Sequence, residues 1–332
     1  MARLIIKSPY VTGGAGGGGG PGGYLKYIGI REGVELLPSG YMEYMAERPR
    51  SHGLFGDEDN VDMDAAMKEL NEYPGNIWTH VISLKREDAE RLGYDHAPQW
   101  RNLIRAHRNN IASAMNILPS DFRWYAAFHD EVGHPHIHMM TWSVKSGQAY
   151  LSKDGIRKIK STLTNDIFKQ ELFHTYEQKS SSRDDLVRRA REEMKALVQE
   201  MQNSLGNHPE MESLMMTLAA QLETTKGKKK YGYLPKGVKK TVDGIVDLME
   251  QLPVISECYQ TWWEFQCQVE DFYSEKERQR PPLSQQKEFR SIKNAVIQER
   301  RASVRAWSLS RIQIWMSLRS SLTCHTTAGS RG

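Results

Sequence analysis

FHDEVGHPHIHMM, residues 128–140, decides the reading of this chain. Four of the protein's eleven histidines fall within ten residues here, with Asp130 and Glu131 between the first two. Residues 122–129, FRWYAAFH, are rich in aromatic residues and read as a core strand. Residues 135–144 read as its partner after a short acidic loop. Side chains alternate across a strand, so His134, His136 and His138 share one face. If His129 opposes His136, the loop is residues 130–135, and Pro135 stands outside the hydrogen-bond ladder where its missing N–H costs little. His129, His136 and His138 then converge, because directly opposed residues lie on the same face of an antiparallel pair. A lone strand histidine is usually a satisfied polar group. Three on one face with a fourth across the hairpin would repel one another when protonated, unless a metal or carboxylates hold them. Three imidazoles with open positions suit a divalent cation. Glu131 is the loop carboxylate placed to orient a ligand imidazole from behind.

Outward from the hairpin, residues 3–11 and 76–85 read as strands, and residues 62–73, 98–115 and 152–176 as helices, from the periodicity of their apolar positions. Residues 24–37 form a short amphipathic segment on which Tyr24, Tyr27 and Arg31 share a face if it is helical. The run GGAGGGGGPGG at residues 13–23 reads as a flexible linker, since no phosphate-loop lysine and Ser/Thr follow it. From about residue 180 the texture becomes charged and helical. The expected fold is α+β: an antiparallel sheet flanked by helices, followed by a mostly α-helical C-terminal region. The expected division is a sheet-bearing domain at 1–178, a helical DNA- or partner-binding region at 179–318, and a disordered tail at 319–332.

Composition narrows the class. Charged residues make up 26% and the mean hydropathy is −0.62, so no run suits a transmembrane helix, and the opening residues are too quickly polar for a signal peptide. Three cysteines without a C-x-x-C pair fit reduced thiols of a cytoplasmic protein. The net charge of +4 permits a polyanionic partner without demanding one, so local patches carry that argument. Residues 226–240, KGKKKYGYLPKGVKK, interleave lysines with Tyr231 and Tyr233. Lys228, Lys229 and Lys230 can neutralise phosphates while the two rings stack on unpaired bases.

His129 followed by Pro135-His136-Ile137-His138 resembles the histidine motif of HUH endonucleases. KYIGIREGVE from residue 26, SHGLFG at 51–56 and YGYLPKGVK at 231–239 are similar to segments of MobP-type conjugative relaxases, the mobilisation proteins of Gram-positive elements. The resemblance spans roughly residues 24–300. It implies an enzyme that nicks one strand of DNA at an origin of transfer and forms a 5′-phosphotyrosine intermediate during plasmid mobilisation. It implies Mg²⁺ or Mn²⁺ held by His129, His136 and His138, with His134 outside the ligand set. It assigns the nucleophile to Tyr27 within Lys26-Tyr27-Ile28, with Tyr24 as its rival one turn away. Lys26 and Arg31 then lie beside the DNA. Relaxosome accessory proteins and a coupling protein are the further partners it implies, and no membrane.

Other readings use some of the same residues. A rolling-circle replication initiator would share the sheet and the histidines and could use both tyrosines. A histidine-triad nucleotide hydrolase would use a histidine nucleophile, against which the proline between the histidines and the acidic loop argue. A non-catalytic DNA-binding accessory protein would keep the histidines for structure alone.

Overall fold

A computed structural model describes residues 3–12, 20–35, 53–58, 61–131, 133–145, 147–203, 207–274 and 276–306. The chain forms two compact units, residues 1–174 with 268–276, and residues 175–267 with 277–332. The tail expected at 319–332 lies outside the described residues.

The first unit is built on an antiparallel sheet. In chain order its elements are β1 (Leu4–Lys7), β2 (Tyr10–Thr12), α1 (Gly20–Ile30), β3 (Leu54–Gly56), α2 (Met63–Glu72), β4 (Asn76–Leu84), α3 (Arg86–Leu92), α4 (Ala97–Ala114), β5 (Phe122–His129), β6 (His136–Ser143) and α5 (Lys153–Ile167). Strands run β1–β4–β6–β5–β3, and β2 shares the β4 edge with β1. Residues 3–11, expected as one strand, divide because Pro9 cannot donate to the ladder. Its carbonyl still accepts from the Thr79 N–H at 2.8 Å. β3 and α3 were not anticipated; three and seven residues give little periodicity to read.

Strand alternation gives the sheet two apolar faces. On one, Leu4, Ile82, Phe122, Trp124, Phe128, Ile137 and Met139 pack against Trp100, Leu103, Ile104 and Ile111 of α4 and Ile159 and Leu163 of α5. On the other, Ala127, Met140 and Trp142 meet Leu25 and Ile28 of α1 and Leu70 of α2. The histidine positions of β5 and β6 belong to this second face. Leu25 and Ile28 are both fully buried. Each contributes about 1.5–3 kcal/mol to holding α1 down.

The glycine-rich stretch is not linker throughout: Gly20–Gly23 form the first turn of α1, while residues 13–19 lie outside the described residues. Gly22 N–H donates to Asn71 Oδ1 at 2.9 Å. A Cβ on Gly22 would lie 2.6–2.7 Å from the Asn71 amide and the Met67 carbonyl. Glycine is therefore what lets α1 settle on α2. Gly22→Ala is expected to destabilise the first unit by about 1–3 kcal/mol through overpacking, read as a lower urea midpoint.

His80 on β4 is 2% exposed and sits between two hydroxyls. Thr141 Oγ1, 2.9 Å from Nε2, donates to Met115 Sδ, so it accepts from the ring, while Ser8 donates to Nδ1 at 2.8 Å. Burial lowers its pKa from 6.5 to about 4. The unfolded chain protonates this ring below pH 6.5 and the folded chain does not until about pH 4. Stability contributed by the neutral ring is complete above 6.5 and lost as pH falls through that window. Melting of the EDTA-treated protein from pH 7 to 4.5 is expected to show a falling midpoint. His80→Gln should flatten the fall, by up to roughly 3 kcal/mol.

The second unit is helical. The 35-residue α6 (Lys169–Asn203) runs without a break through the position where a domain boundary was expected. It is followed by α7 (Pro209–Thr224), α8 (Lys236–Glu250), α9 (Pro253–Asp271) and α10 (Arg290–Ala306), with a short 3₁₀ turn at Tyr231–Tyr233. Leu186, Met194, Leu218, Val242, Ile245, Trp262, Phe289 and Val296 form its core. Cys258 and Cys267 are not joined in a disulfide. No helix among the described residues is long and apolar enough to cross a membrane.

Candidate metal centre

β5 and β6 pair with His129 opposite His136 and Ala127 opposite His138. That is the register required to bring the three imidazoles together. The loop is residues 130–135, and Pro135 contributes only its carbonyl, accepting the Leu84 N–H at 3.1 Å. Ring centroids of His129, His136 and His138 stand 5.2, 4.7 and 5.0 Å apart. One nitrogen of each lies within 4.8 Å of the others.

The ring partners fix which nitrogen each histidine has to offer. His129 Nε2 is 3.0 Å from the Ile28 carbonyl, which can only accept, so Nε2 carries the proton. Its Nδ1 is buried and without a hydrogen-bond partner. An unpaired buried acceptor is costly, and a cation at the centre of the cluster would satisfy it. His136 Nδ1 donates to the His134 carbonyl at 2.9 Å, leaving a lone pair on Nε2. His138 Nε2 lies 3.2 Å from that lone pair, and its Nδ1 lies 3.0 Å from the Tyr24 hydroxyl. For neutral rings the chain runs one way: Tyr24 O–H donates to His138 Nδ1, and His138 Nε2–H donates to His136 Nε2.

Burial, with Arg31 and the neighbouring rings adding to it, lowers the His129 pKa to about 3. Burial followed by His136 and Arg31 lowers that of His138 to about 4. Both rings are neutral at pH 7, the form in which imidazole is a ligand. Two nitrogens bound to one cation at ~2.1 Å stand roughly 3.0–3.4 Å apart. The 3.2 Å between the Nε2 atoms of His136 and His138 already matches such an edge. The residues present fit a divalent ion.

α1 lies against this cluster. Tyr24 is half-buried, and its ring centroid is 6.3 Å from that of His138. Burial raises its pKa, with Arg31 acting against that shift. Tyr27 is 54% exposed, its ring 6.4 Å from that of Tyr24. Arg31 Nη1 donates to the Tyr27 hydroxyl at 3.5 Å, and its other amino group pairs with Glu131. Arg86 pairs with Asp130 at 2.6 Å and donates to the Glu131 carbonyl. Glu131 thus anchors Arg31, while the imidazoles are oriented by two backbone carbonyls and a phenol. Lys26 is exposed on the outer side of α1, and His134 is exposed. Lys228, Lys229, Lys230, Tyr231 and Tyr233 belong to the second unit.

The three imidazoles therefore meet where the register and the buried stripe of α1 bring them, with tyrosine hydroxyls and an arginine alongside. Comparison with curated proteins finds no match, and neither does comparison with solved structures. The family model for MobL relaxases matches residues 39–317, which includes the histidine hairpin and most of the helical unit but not α1. The resemblance in the sequence named the MobP-type relaxases; the family matched carries a different branch name and the same class of mobilisation protein. With that match over most of its length, the chain belongs to the MobL relaxases.

Proposed function

We propose that the protein nicks one strand of DNA at an origin of transfer through a tyrosine nucleophile beside a histidine-bound divalent ion. The observation that carries this reading is the tyrosine hydroxyl hydrogen-bonded to a three-histidine cluster. A divalent ion held by His129, His136 and His138 supplies charge to polarise the scissile phosphate. Three imidazoles without a carboxylate favour Mn²⁺ over Mg²⁺, which prefers oxygen ligands.

Of the two candidate tyrosines, the geometry favours Tyr24. Its hydroxyl contacts the cluster, whereas that of Tyr27 is turned outward to Arg31. With Nε2 of His138 committed as a ligand, the remaining ring proton sits on Nδ1 and points at the Tyr24 oxygen. A hydrogen bond donated to the charged form of a phenol favours that form. Arg31 acts in the same direction. Tyr24 gives up its proton to solvent, the phenolate oxygen attacks phosphorus, the P–O3′ bond breaks, and the departing O3′ takes up a proton from solvent. The 5′ end stays on the tyrosine as a phosphodiester, so the strand can be rejoined by reversal, without ATP. Lys26, Arg31 and the exposed Tyr27 ring would hold the strand at this end.

The test is formation of a covalent adduct. Full-length protein, Mn²⁺ and a labelled single strand from the element's transfer origin should give a shifted band on a denaturing gel. EDTA should abolish the band. No band with origin DNA and Mn²⁺ bound would reject the nicking reading and favour a non-catalytic DNA-binding role.

A further inference from the structure

A second feature lies in the helical unit. Residues 226–240 carry seven lysines and no acidic residue. Within them, two tyrosines two positions apart are placed in opposite ways.

Tyr231 is locked inward. Its hydroxyl lies 2.8 Å from both Asp243 carboxylate oxygens and accepts from Lys293 Nζ at 3.1 Å. Lys293 is 6% exposed, pairs with Asp243 at 2.8 Å and stands 4.2 Å from the Tyr231 ring centroid. The Tyr231 N–H donates to Asn294 Oδ1 at 3.0 Å. Three residues on, Leu234 is buried in the core of the unit. The turn is therefore pinned at both ends. Gly232 passes close under Arg290: a Cβ there would lie 2.5 Å from the guanidinium.

Pinned this way, the turn holds Tyr233 outward. Its ring is 70% exposed, and Lys228 Nζ stands 5.8 Å from the centroid. Lys230, Lys236, Lys240 and Arg290 are nearby in sequence or contact. Asp243, the carboxylate that accepts from the Tyr231 hydroxyl, is paired with Lys293. The core does not require an aromatic ring at position 233. A flat ring in a field of cations is what an unpaired base and its phosphates recognise.

We propose that this turn is a second binding point for single-stranded DNA, with Tyr233 stacking on a base and the surrounding lysines and Arg290 contacting phosphates. Tyr231 is the anchor that sets the turn, not a second stacking residue. The proposal rests on the reading that the protein acts on single-stranded DNA. A duplex hides its base faces and would use the lysines alone. An acidic polypeptide would also use the lysines and leave the ring idle.

Fluorescence anisotropy of labelled oligothymidylate with the full chain in EDTA separates these cases. Tyr233→Ala should weaken binding about 5- to 100-fold, while Tyr233→Phe stays within about twofold of wild type. The same strand annealed to its complement should respond to neither substitution. Replacing Lys228, Lys229 and Lys230 by Gln should reduce the slope of log K against log salt by about 0.7 for each phosphate no longer neutralised. Equal affinity of Tyr233→Ala and wild type, or equal weakening on single strand and duplex, would overturn the proposal. Polyglutamate displacing the strand equally well from wild type and Tyr233→Ala would do so as well, in favour of an acidic protein partner. Matched thermal melts exclude misfolding. The adduct assay at saturating DNA keeps the two readings apart. Tyr233→Ala should still form adduct, and a wild type that binds through Tyr233 without forming adduct would reject nicking alone.

Discussion

Tyr24→Phe is expected to abolish covalent adduct formation, by at least about a thousandfold in rate, while Tyr27→Phe stays within roughly tenfold of wild type. Removing one oxygen atom deletes the nucleophile outright in the first case. The phenyl ring of the variant still packs beside His138, so the fold should be nearly unchanged. Losing the hydroxyl behind His138 should weaken Mn²⁺ binding by about 10- to 100-fold, so the adduct rates are compared at saturating Mn²⁺. In the second case the missing hydroxyl is exposed and contacts only Arg31 among the described residues. Most of what the Tyr27 ring can offer a DNA strand survives in phenylalanine. The two variants differ by one turn of helix, so a clear separation between them tests the geometry and not merely the presence of a tyrosine. The reverse outcome, with Tyr27→Phe inactive and Tyr24→Phe active, would require α1 to turn on binding DNA.

His136→Ala is expected to weaken Mn²⁺ binding by more than about a hundredfold and to remove adduct formation with it. Loss of a partner behind a ligand already costs about 10- to 100-fold in metal affinity, so loss of a ligand itself should exceed that range. The same substitution strips His138 Nε2 of its partner at 3.2 Å. His134→Ala is the matched control. That side chain is exposed, and its residue serves the cluster only through its backbone carbonyl. Alanine keeps the carbonyl, so binding should stay within about twofold of wild type. Titration calorimetry with Mn²⁺ reads both variants. Equal weakening in both would mean that the ion sits on the exposed side of the loop and not among the buried rings.

The three-histidine cluster was legible because strand alternation is rigid. Once residues 122–129 and 136–143 are strands, the place of Pro135 and the length of the acidic loop set His129 against His136, and the third ring follows from period two. The helical half was legible as helices, from apolar spacing, but not its boundaries. α6 continues through residues 169–203 because nothing in its charged middle breaks a helix. The relation of α1 to the cluster was not legible. Tyr24, Tyr27 and Arg31 do share one side of the helix, as their spacing requires. Which hydroxyl reaches the histidines depends on the helix's rotation about its axis. That rotation is set by the buried stripe of Gly22, Leu25, Ile28 and Gly29, which places Tyr24 at the edge of the interface and Tyr27 away from it. Reading this from sequence needs to know that two glycines are there for close approach, Gly22 to α2 and Gly29 to Leu54. For Gly22, within a run of glycines, that signal is invisible. The partners of the imidazoles were equally hidden, since two are main-chain carbonyls that any residue could supply.

The most direct measurement is the position of the covalent bond. The adduct, trimmed with nuclease and digested with trypsin, is separated by cleavage after Lys26 into a peptide of residues 8–26 and one of residues 27–31. Fragmentation by mass spectrometry then finds the residual nucleotide. It is expected on Tyr24, in the first peptide. A nucleotide on Tyr27 in the second, or on any residue outside α1, would contradict the assignment of Tyr24 as nucleophile.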